Sequence, residues 1–258
     1  MDVRGAPIFP EDVEPESLPH FILRALRELS QAPPSDLPRV RRKLIEELPR
    51  FSLRAFETFS DVIRLLLNER RLGLEMVYPI VQTVKVTTRS RLLINTSEPP
   101  LSRIFALGLA LHPLFGVPYI SASALKGVLR HSSKDPPGAP SEEEVFGSKR
   151  SVGGLVVTDA LPVSHRGTLI VPEVITPTYR TRDRSASSHS EVEAIPTPLI
   201  FPAVARGVTF EFHIAARSED GAIMGEALRR LANAASVGVG AKTTSGFGIF
   251  SAEFGEVL

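Results

Sequence analysis

Residues 80–94 read IVQTVKVTTRSRLLI, a β-branched stretch in which apolar and polar side chains alternate. A period of two is typical of a β-strand, because successive side chains point to opposite faces of the sheet. One face would carry Val84, Val86, Thr88 and Leu92, and the other Lys85, Thr87, Arg89 and Arg91. The stretch therefore predicts a strand with one apolar face and one basic face.

The chain before this strand follows a helical period instead. Residues 51–71 repeat apolar side chains at helical spacing, and the stripe consists of Phe51, Ala55, Phe59, Val62 and Leu66. Such a stripe either packs on a core or binds a partner, and packing on a core is the commoner case. Residues 1–75 are therefore predicted to form a helical N-terminal extension, followed by one domain over residues 76–258.

The rest of the chain alternates between strand-like and helix-like segments. The predicted elements are a helix at 121–133, a strand at 153–163, extended arms at 169–179 and 196–207 around a polar insertion at about 176–198, a strand at 208–217, a helix at 221–235 and a glycine-rich segment that ends as a strand at 236–254. Ser121 or Ser123 is a suitable N-cap for the first of these helices. This order predicts an α+β fold, specifically a ferredoxin-like (RRM-like) βαββαβ domain with a long insertion.

Composition excludes several kinds of site. The 258 residues contain no cysteine, which rules out disulfides, thiolate metal ligands and cysteine nucleophiles. The histidines and carboxylates show no metal-binding spacing, so we expect neither a metal nor a cofactor. The apolar runs are too short to span a membrane, and the opening residues lack the apolar core of an export signal. We therefore expect a cytoplasmic protein with no membrane partner.

Positive charge is concentrated in one part of the chain. The formal net charge is only +1, but residues 76–134 carry seven Lys and Arg residues against Glu98 alone. A basic segment in a nearly neutral protein is typical of a surface that binds a polyanion. A solvated cationic face explains the same charges about equally well.

Four glycines near the C-terminus form the sharpest local motif. Gly238 and Gly240 precede Lys242, and Gly246 and Gly248 follow it. The segment is neither a Walker loop, since no Gly-Lys-Ser/Thr follows at the required spacing, nor a dinucleotide fingerprint, since it follows a helix. Its backbone N–H groups could bind phosphate. The alternative is a tight connection between a helix and a strand.

Four motifs lie between residues 116 and 248: GVPYISASALKGVLR at 116–130, FGS at 146–148, GGLVVTDA at 153–160 and GVGAKTTSGFG at 238–248. Together they resemble the RAMP superfamily of CRISPR proteins. Within that superfamily they are most similar to the subunit of the type III-B (Cmr) effector complex that caps the backbone filament near the 3′ end of the guide RNA. The resemblance covers about residues 80–250. Ser121-Ala122 departs from it, because relatives commonly carry Pro-Gly there, and this leaves the entry into the following helix in question.

The resemblance implies a set of RNA-binding residues. Lys126 and Arg130, one turn apart, match an RNA-facing helix. The four glycines match a loop that packs beside that helix and contacts guide RNA. The insertion matches a thumb-like hairpin. The full set expected to bind RNA is Lys85, Arg89, Lys126, Arg130, Tyr179, Arg180, Arg182, Gly238, Gly240, Lys242, Gly246 and Gly248. The implied partners are guide crRNA and, through it, target RNA. They also include other Cmr subunits, namely the repeating backbone RAMP protein, the small helical subunit and the other head-end RAMP subunit.

Three functions are compatible with these patterns. The first is a non-catalytic subunit that binds crRNA and assembles the complex. The second is a crRNA-processing endoribonuclease on the same fold, for which His131 is the best candidate acid or base. Asp159 is predicted to lie inside an apolar strand, where a structural role is more common than a catalytic one. The third is a protein-interaction subunit that acts through its N-terminal helices.

Overall fold

The computed structural model describes residues 17–97, 99–132, 138–176, 198–219 and 221–255. The helices in these ranges are α1 (Leu18–Gln31), α2 (Leu37–Glu75), α3 (Leu101–Ile104), α4 (Ala122–His131), α5 (Glu142–Phe146) and α6 (Ala222–Val237). The strands are β1 (Ile80–Thr88), β2 (Leu155–Val157), β3 (Leu161–Ser164), β4 (Ile170–Ile175), β5 (Leu199–Val204), β6 (Thr209–Ala216) and β7 (Phe250–Phe254). None of the helices in these ranges is long and apolar enough to cross a membrane.

The main sheet is antiparallel, with strand order β2-β6-β1-β7 and with β3 also paired to β6. The two arms are extended, as predicted, and as β4 and β5 they form an antiparallel pair separate from the main sheet. One face of the main sheet packs on α4 and α6 through residues such as Val86, Phe210 and Leu231. The mixture of helices with antiparallel sheets confirms the α+β class.

Strand β1 has the predicted period but not the predicted length. Val84, Val86 and Thr88 are buried and Lys85 is exposed, so the alternation is confirmed. The strand ends at Thr88, because the residues after it form backbone hydrogen bonds with other segments of the chain. The Arg89 N–H donates to the Ile249 carbonyl at 2.7 Å, and Leu92 then forms an isolated bridge with Val204 on β5. The chain thus passes from the main sheet to the second one.

The predicted strand at 153–163 is broken in two, and Asp159 lies in the break instead of inside a strand. Its Oδ1 accepts a hydrogen bond from the Ala122 N–H at 2.6 Å, at the start of α4. The N-cap of α4 is Ser121, whose hydroxyl accepts from the Ala124 N–H at 3.3 Å. Asp159 therefore anchors the start of α4 against the sheet.

Helix α2 packs on the other face of the sheet and shares one apolar core with it. The stripe prediction was right for Phe51, which is buried, but wrong for Val62, which is 49% exposed, because Ile63 and Leu67 face the core instead. Buried His213 of β6 joins the two layers. Its Nε2 donates to the Leu67 carbonyl at 2.9 Å. Burial lowers the pKa of His213, which keeps the ring neutral in this position.

Candidate nucleic-acid interface

The glycine-rich segment connects α6 to β7 and contains a 3₁₀ turn at Thr243–Ser245. Two backbone hydrogen bonds join it to the residues after β1: the Ala241 N–H donates to the Leu93 carbonyl at 2.8 Å, and the Gly248 N–H to the Arg91 carbonyl at 2.8 Å. A third closes the loop, from the Val239 N–H to the Gly248 carbonyl at 3.0 Å. Backbone hydrogen bonds therefore fix the shape of this loop and its position beside residues 91–93.

Close packing explains why three of the four positions are glycine. All four have positive φ, between 78° and 95°. A Cβ atom at Gly240 would lie 2.1 Å from the Leu93 carbonyl oxygen, one at Gly248 would lie 1.9 Å from that of Val239, and one at Gly238 would lie 2.8 Å from that of Phe247. At Gly246 it would meet nothing within 4 Å. Gly246 is exposed, and its backbone is open to a partner.

A groove of about 490 Å³ lies between this loop, helix α4 and residues 94–97. The residues of α4 that line it lie at helical spacing on one face: Ala124, Leu125, Gly127, Val128 and His131. Gly127 leaves the backbone of α4 bare, since a Cβ atom there would meet nothing within 4 Å, and exposed Gly240 lines the side formed by the loop. The structure thus confirms that the glycine loop lies beside α4.

Lys126 and Arg130 do share a face of α4, but it is not the face that lines the groove. The Lys126 Nζ donates to the Leu155 carbonyl on β2 at 3.1 Å. Desolvation, and then the positive charges of Arg217 and Arg130, lower the pKa of Lys126. Arg130 pairs with the Glu142 carboxylate on α5. The structure therefore does not bring these two cations together with the glycine loop.

Lys85 and Arg89, the cations predicted on β1, do not line the groove either. Lys85 lines a cleft of about 670 Å³ between α2 and the sheet. Its Nζ lies 3.5 Å from the Glu211 carboxylate, and Glu253 faces it from β7, so two acids offset its charge. Arg89 is exposed, and its Nε donates to the Ser251 hydroxyl at 3.1 Å. Lys242 is exposed and has a left-handed backbone, with φ of 60°, at the start of the 3₁₀ turn.

Tyr179, Arg180 and Arg182 lie outside the described residues. The two arms that lead to them pair from Ile170 with Val204 as far as Ile175 with Leu199. The base of the insertion is thus a regular antiparallel ladder. The contribution of these three side chains to RNA binding stays a prediction.

Sequence reasoning missed the third wall of the groove. Asn95, Thr96 and Ser97 line it, and Asn95 has a left-handed backbone, with φ of 50°. The available signal was a short polar run directly after an apolar one, with an asparagine, a residue that tolerates this conformation. These side chains offer hydroxyl and amide groups that donate and accept hydrogen bonds.

His131 is the only titratable residue among the described residues that line the groove. Its Nδ1 lies 2.7 Å from the Gly127 carbonyl and must donate to it, because a carbonyl oxygen only accepts. In the neutral ring this leaves Nε2 as an acceptor. No group of histidine, aspartate and glutamate side chains within the described ranges could hold a metal ion.

A comparison with known families agrees with this geometry. The model of the RAMP superfamily matches residues 85–251, which run from the middle of β1 to the start of β7. The chain belongs to the RAMP superfamily. The matched span includes all three walls of the groove, namely residues 94–97, helix α4 and the glycine loop, whereas α1 and α2 precede it. The superfamily resemblance of the sequence is confirmed.

Two known proteins are similar to this chain over most of its length. It is 33% identical over 192 residues to the CRISPR system CMR subunit Cmr6 of Saccharolobus solfataricus, a match that covers 74% of this chain and 64% of that protein. The chain thus spans about two thirds of the length of this relative. It is also similar to a chain in the cryo-EM structure of the type III-B Cmr-beta complex bound to cognate target RNA. That match has a TM-score of 0.69 and 30% identity, and covers 84% of this chain and 72% of that one.

Proposed function

We propose that this chain is a non-catalytic crRNA-binding and assembly subunit of a type III-B (Cmr) CRISPR effector complex in antiviral defence, and that it holds the guide RNA near its 3′ end. The observation that carries the proposal is the groove between α4 and the glycine loop, which lies inside the span matched by the RAMP superfamily. The similarity to Cmr6 and to a chain of an RNA-bound Cmr complex supports this reading.

The chemistry of the groove suits the backbone of single-stranded RNA. Gly127 allows close approach to the backbone of α4, and Asn95, Thr96 and Ser97 add polar groups. Sugar and phosphate oxygens commonly bind such hydroxyl, amide and backbone N–H groups. These contacts carry little sequence information, which is what a subunit that holds many different guides requires.

The strand order supports the finer description of the fold. We propose a ferredoxin-like βαββαβ domain formed by β1, α4, β2, β6, α6 and β7, with the β4–β5 arms inserted before β6, and the order of these elements supports it. On this proposal residues 1–75 form an N-terminal extension, of which α2 packs on the sheet. The insertion at about 176–198 acts as a thumb that carries Tyr179, Arg180 and Arg182 to the RNA.

The proposed partners are guide crRNA, target RNA through it, and other Cmr subunits: the repeating backbone RAMP protein, the small helical subunit and the other head-end RAMP subunit. Exposed apolar side chains on and just after α2 support protein contacts, since Leu65 is 60% and Met76 88% exposed. No cofactor or metal is part of the proposal, and the compartment we propose is the cytoplasm.

The endoribonuclease alternative depends on His131, which lies in the groove. Acid–base cleavage of RNA needs a proton acceptor and a proton donor positioned together. Asp159, the other candidate, accepts from the Ala122 N–H at the start of α4. These contacts favour the non-catalytic role.

Nuclease protection of the guide RNA tests the proposal. Complexes would be assembled with and without this chain, treated with nuclease, and the protected guide would be sequenced. We expect the protected fragment to shorten at its 3′ end when the chain is omitted. An unchanged fragment, together with binding to other Cmr subunits in the absence of RNA, would favour the protein-interaction function instead.

A further inference from the structure

Three exposed arginines lie at the end of the main sheet where β1 and β3 leave it and β6 enters it. Arg89 follows β1, Arg166 follows β3 and Arg206 precedes β6. Because β6 pairs with both β1 and β3, these strand ends are neighbours. Adjacent strands lie about 4.8 Å apart, so the three backbone positions span roughly 10 Å. We name Arg89, Arg166 and Arg206 the arginine edge.

Backbone contacts hold the arginine edge together. The Gly207 N–H donates to the Thr88 carbonyl at 2.8 Å, which fixes the turn after Arg206 against the end of β1. Gly207 has φ of 82°, and a Cβ atom there would lie 3.1 Å from Cβ, Cγ and Cδ of Arg166. The aliphatic stem of Arg166 therefore packs over this glycine. A larger residue at 207 would displace the stem.

The three guanidinium groups have no acidic partner within the described part of the chain. Arg89 donates to the neutral Ser251 hydroxyl, and neither Arg166 nor Arg206 forms an ion pair there. Among the acidic side chains of the nearby strands, Glu211 pairs with Lys85 and Glu173 with Arg91, while Glu253 of β7 lies opposite Lys85. Uncompensated arginines grouped at one edge form an anion-binding surface, because a guanidinium binds phosphate through paired N–H groups.

The arginine edge is continuous with the glycine loop. The N–H groups of Arg89 and Ser90 both donate to the Ile249 carbonyl, at 2.7 and 3.1 Å, and Ile249 directly follows Gly248. A strand of RNA that leaves the groove at the loop can therefore reach Arg89 and then the other two. This continuity favours RNA over an acidic protein segment as the occupant.

We propose that Arg89, Arg166 and Arg206 bind the phosphodiester backbone of single-stranded RNA and extend its path from the groove across the end of the sheet. The inference rests on the proposed RNA-binding function and adds a second, purely electrostatic contact surface to it. Arg166 and Arg206 lie outside the set of residues that the sequence predicted.

The test compares two double variants that remove equal charge. Arg166→Gln/Arg206→Gln changes the arginine edge, and Lys149→Gln/Arg150→Gln changes exposed cations just before β2, which pairs with the opposite end of β6. Binding of the full chain to labelled oligouridine is measured across a salt series, with thermal unfolding as the check on folding. Each lost phosphate contact makes the log–log salt slope shallower by about 0.7 for single strands, so the edge variant should lose about 1.4. The control should keep the wild-type slope, and Arg166→Lys/Arg206→Lys should restore most of it.

Two outcomes would overturn this inference alone, and a third would count against the proposed function on which it rests. An edge variant that folds and keeps the wild-type salt slope would show that RNA does not contact the arginine edge. Salt-dependent RNA binding by the wild-type chain would in that case still support the proposed function. Absence of salt-dependent binding by the wild-type chain would instead count against the proposed function itself. An edge variant that binds RNA normally but fails to co-purify with the other Cmr subunits would show that the edge binds protein.

Discussion

Adding a methyl group at Gly240 or at Gly246 separates the structural role of the glycine loop from its role in binding. Both positions have positive φ, 87° and 84°. An L-residue in such a left-handed conformation costs about 1–2 kcal/mol. Gly246→Ala should show this cost alone, because its Cβ would meet nothing within 4 Å.

Gly240→Ala should cost more, since its Cβ would lie 2.1 Å from the Leu93 carbonyl oxygen. That oxygen is backbone and accepts from the Ala241 N–H at 2.8 Å. Relief of the contact requires the loop to move away and weakens this hydrogen bond, which contributes about 0.5–1.5 kcal/mol. We therefore expect Gly240→Ala to lower the free energy of unfolding by at least about 1.5–3.5 kcal/mol.

Urea unfolding followed by circular dichroism gives both free energies, and oligouridine binding gives the affinities. Gly246→Ala should fold, with its melting temperature lowered by about 2–8 °C, and should bind RNA more weakly because the methyl group occupies the open approach to the backbone. Stability of Gly240→Ala equal to that of the wild type would refute the packing argument. Full RNA affinity of a folded Gly246→Ala would refute close approach of RNA at the loop tip.

Further predictions concern charge, chemistry and pH. Lys242→Ala should lower the affinity for oligouridine and make the salt slope shallower by about 0.7, because one phosphate contact is lost; an unchanged slope would place Lys242 outside the site. The wild-type chain should not cleave labelled guide RNA with or without divalent metal, and cleavage abolished by His131→Ala or Asp159→Ala would contradict the non-catalytic role. Because burial lowers the pKa of His213 in the folded state, the unfolded chain binds more protons and stability should fall as pH drops below about 6.5. His213→Gln should make the urea midpoint less dependent on pH, and an equal dependence would show that other groups cause it.

Local patterns were sufficient for most elements of the fold. The alternation in β1 predicted its buried face, because that face depends on a period of two and not on the partner strand. The end of the strand at Thr88 was not predictable, since it follows from contacts with Val204 and Ile249, more than a hundred residues away. The break at Asp159 has the same kind of cause, a hydrogen bond to the start of α4.

The sequence predicted that the glycine loop lies beside α4, but not which side chains of α4 face it. The spacing of Lys126 and Arg130 correctly placed them on one face of a helix, but spacing alone does not show which face meets the glycine loop. The structure places that face against β2 and α5 and turns Gly127 and His131 to the groove. Pairing across strands, as in Lys85 with Glu211, is likewise not visible to charge counting, which depends on position along the chain alone.

Site-specific crosslinking in the assembled complex tests the central claim most directly. A photoreactive uridine is placed at successive positions of the guide RNA, and the crosslinked peptides are identified by mass spectrometry. The proposed function predicts crosslinks from 3′-proximal positions to peptides that contain residues 94–97, 124–131 or 238–249. Crosslinks only from the 5′ part of the guide, or no crosslinks to this chain in a fully assembled complex, would contradict it.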